Sequence, residues 1–162
     1  MKHVIIIALS LILIALVGCS SDKAAKTSSG PTFKVNDVNG TVRTFEEFKG
    51  KGPLIVNFWG TWCPPCRREI PDMIKIYNEY KGSGLEIVGL AVRDKPENVK
   101  AFAQQFGVEW VLLMSNHDAM KSFATGTGVP VSIFFDRDGN EVSRFVGGRP
   151  YEVFKAEVEK II

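Results

Sequence analysis

The sequence predicts an α/β fold in three layers, with helices on both faces of a central β-sheet. Residues 53–59 form a near-continuous apolar run, which is typical of a strand buried on both faces. Residues 64–81 then show helical periodicity, and residues 85–92 form a second apolar run. A strand, a helix and a strand of these lengths predict two parallel strands joined by a right-handed crossover.

Length and composition favour one folded domain with an appendage. The chain has 162 residues, of which 45% are hydrophobic, and this is enough for a packed core. The formal net charge is only +2, which gives no indication of nucleic-acid binding. We expect a monomeric protein that has no nucleic-acid partner.

The N-terminus has the pattern of an export signal. A short basic start precedes an apolar run over residues 4–17, which is shorter than the roughly 20 residues that span a bilayer as a helix. Residues 16–19, Leu-Val-Gly-Cys, resemble a bacterial lipobox, which implies cleavage before Cys19 and lipidation of that residue. An uncleaved anchor helix, or cleavage elsewhere, is the alternative.

These features divide the chain into three parts. We expect a lipoprotein signal peptide at residues 1–18, the lipidated Cys19 with a flexible tether at residues 19–31, and a folded domain at residues 32–162. The domain would then be anchored by its lipid on the extracytoplasmic side of a membrane.

A β-hairpin is expected before the first apolar run. Residues 33–38 alternate between polar and apolar, Asn39-Gly40 is a strong turn signal, and residues 41–44 continue the chain as a second strand. Thr44 and Glu47 have the spacing of a capping box, which predicts one short helical turn after the hairpin.

A helical segment separates the second apolar run from the end of the sheet. Asp94 and Glu97 have capping-box spacing and predict a helix that ends at Gly107. A short strand at residues 110–114 and a short helix that starts at residues 115–118 follow.

The C-terminal part predicts a strand, a turn, a strand and a helix. Residues 131–135 and 141–146 flank the turn signal Asp138-Gly139, which predicts an antiparallel hairpin. Pro150 starts a last helix that has a single apolar face.

Cys63 and Cys66 lie at the junction between the first central strand and its helix, and their C-x-x-C spacing lets them close and open a small disulfide ring. Pro64 occupies the first helical position, where proline is tolerated. The helix dipole and unpaired backbone N–H groups favour a thiolate at Cys63, and Arg67 and Arg68 add positive charge if they turn towards it. This arrangement predicts that Cys63 attacks a disulfide and that Cys66 resolves the mixed disulfide.

The most specific stretch of the chain runs Asn57-Phe-Trp-Gly-Thr-Trp-Cys-Pro-Pro-Cys-Arg-Arg-Glu-Ile-Pro71, a W-C-x-x-C core with a proline five residues after the second Cys. It resembles the active-site segment of the thioredoxin superfamily and, more narrowly, of the TlpA/ResA-like membrane-anchored thiol–disulfide oxidoreductases. The resemblance runs from about residue 33 to the C-terminus. It implies a thioredoxin-like three-layer fold with an added N-terminal hairpin and a helical insertion.

The resemblance also implies how such a protein works. No cofactor is expected, the substrates are protein thiols or disulfides, apocytochrome c among them, and a membrane thiol reductase supplies the electrons. Substrate contacts fall on Trp62 and on Val129-Pro130, which is similar to the cis-proline loop of the superfamily. In that loop the residue before the proline pairs its backbone with the substrate. The alternative is an ordinary proline that starts a strand.

Asn57 departs from the thioredoxin pattern, in which an aspartate at this position helps to move the proton of the inner Cys. Asn cannot titrate, whereas Glu69 follows Cys66 by three residues and is a candidate for that role. The alternative is a first-turn glutamate that merely suits the helix dipole.

Pro65 carries information about the direction of the reaction. It has no N–H, so one donor that could stabilise the Cys63 thiolate is missing. A less stabilised thiolate makes the dithiol a better reductant, and we expect a reductant for this reason.

Other uses of the Cys pair stay open. A structural disulfide would close a very small loop and so constrain the unfolded chain little. A zinc site needs four ligands, whereas the chain offers two Cys and the distant His117, so we expect no metal. A peroxiredoxin-like peroxidase is expected to have Thr where this chain has Gly60. A copper-binding chaperone module of related fold spaces its thiols one residue further apart and adds a nearby His.

Overall fold

The computed structural model describes residues 30–162 as seven strands, four α-helices and two short 3-10 helices. The strands are β1 (Lys34–Asn36), β2 (Val42–Thr44), β3 (Leu54–Trp59), β4 (Glu86–Ala91), β5 (Val111–Met114), β6 (Val131–Phe135) and β7 (Glu141–Val146). The α-helices are α1 (Pro64–Tyr80), α2 (Pro96–Phe106), α3 (His117–Ser122) and α4 (Tyr151–Ile161), and the 3-10 helices are Phe45–Glu47 and Lys81–Ser83.

The expected signal peptide, the lipidation residue Cys19 and the tether up to residue 29 lie outside the described residues. Among the helices that the structure describes, none is both long enough and apolar enough to cross a bilayer.

The central sheet has five strands in the order β5-β4-β3-β6-β7. β3 and β5 are each parallel to β4, whereas β6 is antiparallel to both β3 and β7. β3 is therefore the middle strand, and all six of its residues are buried, as its apolar sequence predicts. The parallel crossover through α1 and the antiparallel C-terminal hairpin are both confirmed.

Two layers cover the sheet, so the predicted three-layer fold is confirmed. α1, α2 and α4 pack on one face, where their apolar side chains form one buried cluster with the sheet. The other face is covered by α3, the 3-10 helix Phe45–Glu47 and the hairpin β1–β2. Phe123 joins these parts, since its ring centroid lies 5.1 Å from that of Phe45 and 5.5 Å from that of Phe58 on β3.

The predicted N-terminal hairpin is confirmed, and it also closes one edge of the central sheet. β1 and β2 pair in antiparallel fashion, and Glu47 Oε1 accepts from the backbone N of Thr44 at 2.7 Å, as the capping box predicts. Beyond β1, the backbone N of Val38 donates to the carbonyl of Leu112 on β5 at 3.2 Å. The hairpin therefore hydrogen-bonds to the outermost strand on this side of the sheet.

Helix α2 starts one residue later than expected, whereas α3 starts within the expected residues 115–118. α2 has Lys95 as its N-cap rather than Asp94, because the Asp94 carboxylate is bound by Thr61 in the loop before the Cys pair. α3 begins at His117, and Asn116 caps it through a hydrogen bond of 2.8 Å from a backbone N–H of the first turn. The insertion as a whole adds β5 to the sheet and α3 to the second layer.

Candidate active site

Cys63 and Cys66 lie where the chain passes from β3 into α1. Cys63 is the N-cap of α1, with extended backbone (φ −93°, ψ 110°), and Pro64 and Pro65 follow it. The structure holds the two Cys as a disulfide, with Cα atoms 5.3 Å apart, and Sγ of Cys63 accepts from the backbone N of Cys66 at 3.3 Å. Since neither proline has an N–H, Cys66 supplies the first backbone donor of the helix to this sulfur.

Both Cys residues are buried, and the exposed group beside them is Trp62. Cys63 is 2% exposed and Cys66 is fully buried, whereas Trp62 is 48% exposed. Nε1 of Trp62 donates to the carbonyl of Val92 at 2.9 Å, and the guanidinium carbon of Arg93 lies 5.2 Å from the centre of the indole ring. The indole is therefore a fixed apolar surface next to Cys63.

The loop that precedes the Cys pair is held by Asp94. The backbone N and Oγ1 of Thr61 both donate to the Asp94 carboxylate, at 2.7 and 3.1 Å. Nη1 of Arg67 donates to the carbonyl of Thr61 at 3.3 Å, and its guanidinium lies 5.5 Å from the ring centre of Phe102. Arg67 therefore braces this loop, while Arg68 lines a separate cleft described below.

The Val129–Pro130 peptide bond is cis, as the resemblance implies. The carbonyl oxygen of Val129 lies 3.7 Å from Sγ of Cys63. The carbonyl of Pro130 accepts from the backbone N of Gly147 at 2.8 Å, which ties this loop to the end of β7. The structure thus brings Val129 and Pro130 to the Cys pair, although they are more than 60 residues away in the chain.

Glu69 belongs to a buried polar network. It is 3% exposed, and its Oε1 accepts from Nδ2 of Asn57 at 3.1 Å, while its Oε2 accepts from the backbone N of Arg149 at 3.4 Å. Nδ2 of Asn57 also donates to Oγ of Ser132 at 2.9 Å. These hydrogen bonds connect α1, β3, β6 and the loop before α4.

Burial raises the pKa of Glu69 from its ordinary value of 4.5 to about 7. The hydrogen bonds from Asn57 and from the backbone N of Arg149, and the positive charge of Arg149, lower this pKa but do not offset the burial. A cleft of about 420 Å³, lined by Arg68, Gly148 and Arg149 among others, adjoins Glu69. Its carboxyl can therefore exchange a proton near neutral pH.

The local geometry bears on two alternative roles of the Cys pair. A Cβ at Gly60 would lie 2.6 Å from Nε1 of Trp62, which is too close, so the Thr of the peroxidase pattern does not fit there. Within residues 30–162, no group of three or more His, Cys, Asp or Glu side chains could hold a metal ion. His117 at the start of α3 therefore belongs to no such group.

The sequence does not single out three parts of this site: Ser132, Asp94 and Arg149. Ser132 had a signal, because it is the one polar residue in the buried strand β6, as Asn57 is in β3. Asp94 was interpreted as a helix cap, but it binds a loop 33 residues away. Arg149 reaches Glu69 through its backbone, across 80 residues, so no side-chain pattern reveals this contact.

Comparison with known proteins gives consistent matches over most of the chain. The Redoxin family model matches residues 25–162. The chain is 34% identical over 132 residues to the thiol-disulfide oxidoreductase ResA of Bacillus thuringiensis (strain Al Hakam), which covers 81% of this chain and 75% of that protein. It is 33% identical over 135 residues to ResA of Geobacillus thermodenitrificans (strain NG80-2), which covers 83% of this chain and 76% of that protein.

The solved structures agree with this result. A thiol:disulfide interchange protein of the thioredoxin family from Chlorobium tepidum TLS superposes with a TM-score of 0.73 at 34% sequence identity. The match covers 82% of this chain and 94% of that chain. The thioredoxin-like fold that the resemblance implies is thereby confirmed.

The buried Glu69 predicts a specific dependence of stability on pH. Between about pH 4.5 and 7 the unfolded chain loses the Glu69 proton while the folded chain keeps it, so the free energy of unfolding falls as pH rises. Relative to Glu69→Gln, the oxidised wild-type protein should lose up to about 3 kcal/mol over this range and no more above pH 7. Urea unfolding at several pH values measures the difference.

The matched control for this experiment is Glu97→Gln, which changes an exposed glutamate on α2. This variant should follow the wild-type curve at every pH. A constant offset between Glu69→Gln and the wild type from pH 4 to 8 would show that Glu69 titrates in the folded protein as it does in the unfolded chain.

Proposed function

We propose that this chain, which belongs to the Redoxin family, reduces disulfides of other proteins through Cys63. The premise is that it is a thiol–disulfide oxidoreductase similar to ResA. The observation that carries the proposal is the position of Cys63 at the start of α1, next to the exposed Trp62 and 3.7 Å from the carbonyl of Val129. Cys66, by contrast, is fully buried. A substrate that contacts Trp62 and the Val129-Pro130 backbone therefore reaches the sulfur of Cys63 first.

The proposed reaction consists of two thiol–disulfide exchanges. The Cys63 thiolate attacks one sulfur of the substrate disulfide, which forms a mixed disulfide and releases the other substrate sulfur as a thiolate. Cys66 then gives up its proton and attacks Sγ of Cys63, which releases the second substrate thiolate and closes the Cys63–Cys66 disulfide. Two electrons pass to the substrate, and the two protons of the dithiol balance its two new thiols. The disulfide form is thus the spent form, which another dithiol must reduce again.

Glu69 is the proposed acceptor of the Cys66 proton. Cys66 and Glu69 are three residues apart on α1, so their side chains share one face of the helix, and both are buried. Glu69 is therefore a titratable group near the Cys66 thiol, which solvent does not reach. A pKa of about 7 lets the carboxylate form at neutral pH and still hold a proton well. Asn57 cannot titrate, and it donates a hydrogen bond to this carboxyl instead.

The variant Glu69→Gln tests this role because it keeps the hydrogen bond from Asn57 and removes the titrating group. The rate at which Cys66 resolves a preformed mixed disulfide should fall by about 10²-fold near pH 7. The step in the pH–rate profile near pH 7 should also disappear, as measured by rapid acid quench. The exposed Glu97→Gln should keep both the rate and the step. An unchanged profile in Glu69→Gln would leave Glu69 with a structural role alone.

The proposed direction is that of a reductant, and Pro65 supports it. The sulfur of Cys63 accepts a hydrogen bond from the N of Cys66, but Pro64 and Pro65 offer none, so a thiolate here lacks donors that other helices provide. We expect a reduction potential clearly more negative than about −120 mV, the value of a strong oxidant. Equilibration with glutathione buffers measures it.

The matched variant for the direction is Pro65→Ala, which restores one N–H in the first turn. Its potential should shift to a less negative value than that of the wild type, because the thiolate gains a donor. A wild-type potential near about −120 mV would contradict the proposed direction.

The proposed place of action is the extracytoplasmic face of a membrane, with the lipid on Cys19 as the anchor. The support is the apolar run of residues 4–17 and the lipobox-like residues 16–19. The tether that the sequence predicts over residues 20–30 would have a reach of about 18 Å and would keep the domain close to the membrane surface. A membrane thiol reductase is then the proposed electron donor. Apocytochrome c, whose cysteines must be reduced before haem attachment, is the proposed substrate class.

Expression of Cys66→Ala in the native cell tests the protein-substrate proposal directly. Without its resolving thiol, the protein should accumulate as a mixed disulfide on Cys63, which non-reducing gels detect and mass spectrometry identifies. Cys63→Ser combined with Cys66→Ala is the control and should trap nothing. In the same cells, mass spectrometry of the wild-type protein should find a lipidated Cys19 as its first residue, and Cys19→Ser should carry no lipid. Recovery of no protein partner would contradict the substrate proposal, and a wild-type protein without lipid on Cys19 would contradict the lipid anchor.

A further inference from the structure

A second and larger cavity lies outside the reaction described so far. It has a volume of about 730 Å³ and is open to solvent, and we call it the α3 groove. Its lining includes Arg93, His117, Met120, Lys121, Ala124 and Thr127. It is thus built by the loop after β4, by α3 and by the loop that follows α3.

The α3 groove is continuous with the surface around Cys63. On one side it starts at Val92 and Arg93. The carbonyl of Val92 accepts the hydrogen bond from the indole of Trp62, and the guanidinium of Arg93 lies over the indole ring. On the other side it ends at Thr127, two residues before Val129, whose carbonyl lies 3.7 Å from Sγ of Cys63. A polypeptide that pairs with the Val129 backbone can therefore continue into this groove.

The chemistry of the groove is apolar with a positive rim. Val92, Met120 and Ala124 contribute apolar surface, and Arg93 and Lys121 contribute cations. No Asp or Glu is among the described residues that line it, and neither cation has a salt-bridge partner within residues 30–162. Asp94 follows Arg93 in the chain, but its carboxylate is engaged by Thr61. The groove is therefore suited to a segment that brings both an apolar and an acidic side chain.

Two lining residues hold an unusual backbone. Arg93 and Ala124 both have φ 49°, and they are the non-glycine residues with positive φ in the part of the chain that the structure describes. This region is sterically costly for side chains that bear a Cβ, and such residues cluster at binding and catalytic sites. Both of these residues line the α3 groove, on opposite sides of α3 in sequence.

We propose that the α3 groove binds the part of a substrate polypeptide that flanks its reactive cysteine. An apolar side chain of the substrate packs against Met120 and Ala124, and an acidic side chain lies between Arg93 and Lys121. The groove would thus select among protein disulfides, which the Cys pair alone reduces without regard to the flanking sequence. This inference rests on the proposed reduction of protein disulfides.

Short synthetic peptides with one intramolecular disulfide test the groove. One peptide carries Leu and Glu beside the disulfide on both sides, a second has Lys in place of Glu, and a third has Ser in place of Leu. The reduced full-length protein should reduce the Leu–Glu peptide about three- to ten-fold faster, in kcat/KM, than either of the others. The preference for Glu over Lys should shrink at 1 M salt, where about 3 Å of screening length remains.

The variant Lys121→Glu reverses one rim charge and should abolish or invert the preference for Glu over Lys. Lys51→Glu makes the same change in net charge at an exposed position. Lys51 precedes β3, at the end of that strand that is away from the Cys pair, so this variant should keep the preference. An uncharged small disulfide that has no flanking residues, bis(2-hydroxyethyl) disulfide, should be reduced at the same rate by the wild type, Lys121→Glu and Lys51→Glu. This last rate reports on the dithiol and not on the groove.

The outcomes separate the groove from the reaction. If bis(2-hydroxyethyl) disulfide is reduced but the three peptides react equally fast, or if Lys121→Glu keeps the preference, the groove proposal is wrong while the proposed reaction stands. If neither this small disulfide nor any peptide is reduced, the proposed reaction itself fails. If Lys121→Glu instead changes the association of the protein with itself in sedimentation experiments and leaves the peptide preference intact, the groove binds a second copy of the chain.

Discussion

The hydrogen bonds of Asn57 join the middle strand β3 to helix α1, which carries the Cys pair, and to the neighbouring strand β6. β3 is buried on both faces, and a buried amide without partners costs about 1–3 kcal/mol, so Asn57 has to be satisfied from neighbouring elements. It donates to Glu69 on α1 and to Ser132 on β6. The same packing keeps a carboxyl in apolar surroundings and raises its pKa. Fold stability and acid–base chemistry at this site therefore have one physical origin.

The environment of Cys63 combines a rigid surface on the substrate side with few donors on the helix side. Asp94 fixes Thr61, the carbonyl of Val92 fixes Trp62, and the loop before β6 sets Val129 beside the sulfur. These contacts fix the groups that a substrate meets, so little ordering is left for the moment of binding. Within the first turn of α1 the prolines remove backbone donors to the sulfur of Cys63. The residues that position the substrate-contacting groups therefore differ from those that set the stability of the thiolate.

Much of the fold could be predicted because its signals are local. The apolar run of β3, the periodicity of α1 and the turn signals of both hairpins lie within a few residues of the elements they specify. The Cys pair could be predicted equally well, because the C-x-x-C spacing by itself indicates a disulfide that can form and open. The role of Asp94 could not be predicted, because a capping pattern is local while its partner Thr61 lies 33 residues away, in the loop before the Cys pair. Ser132, Arg149 and the α3 groove arise from contacts between distant segments, which one sequence read along its length does not reveal.

The N-terminal hairpin has a consequence for how these molecules tolerate crowding. Each open edge of a sheet is a row of unpaired backbone groups to which another chain can add as a further strand. The hairpin occupies the β5 edge through Val38, which leaves β7 as the open edge of the described sheet. β7 carries charged residues at Glu141 and Arg144, and an irregularity interrupts its pairing with β6. Both edges of the described sheet are thus protected against edge-to-edge aggregation between molecules.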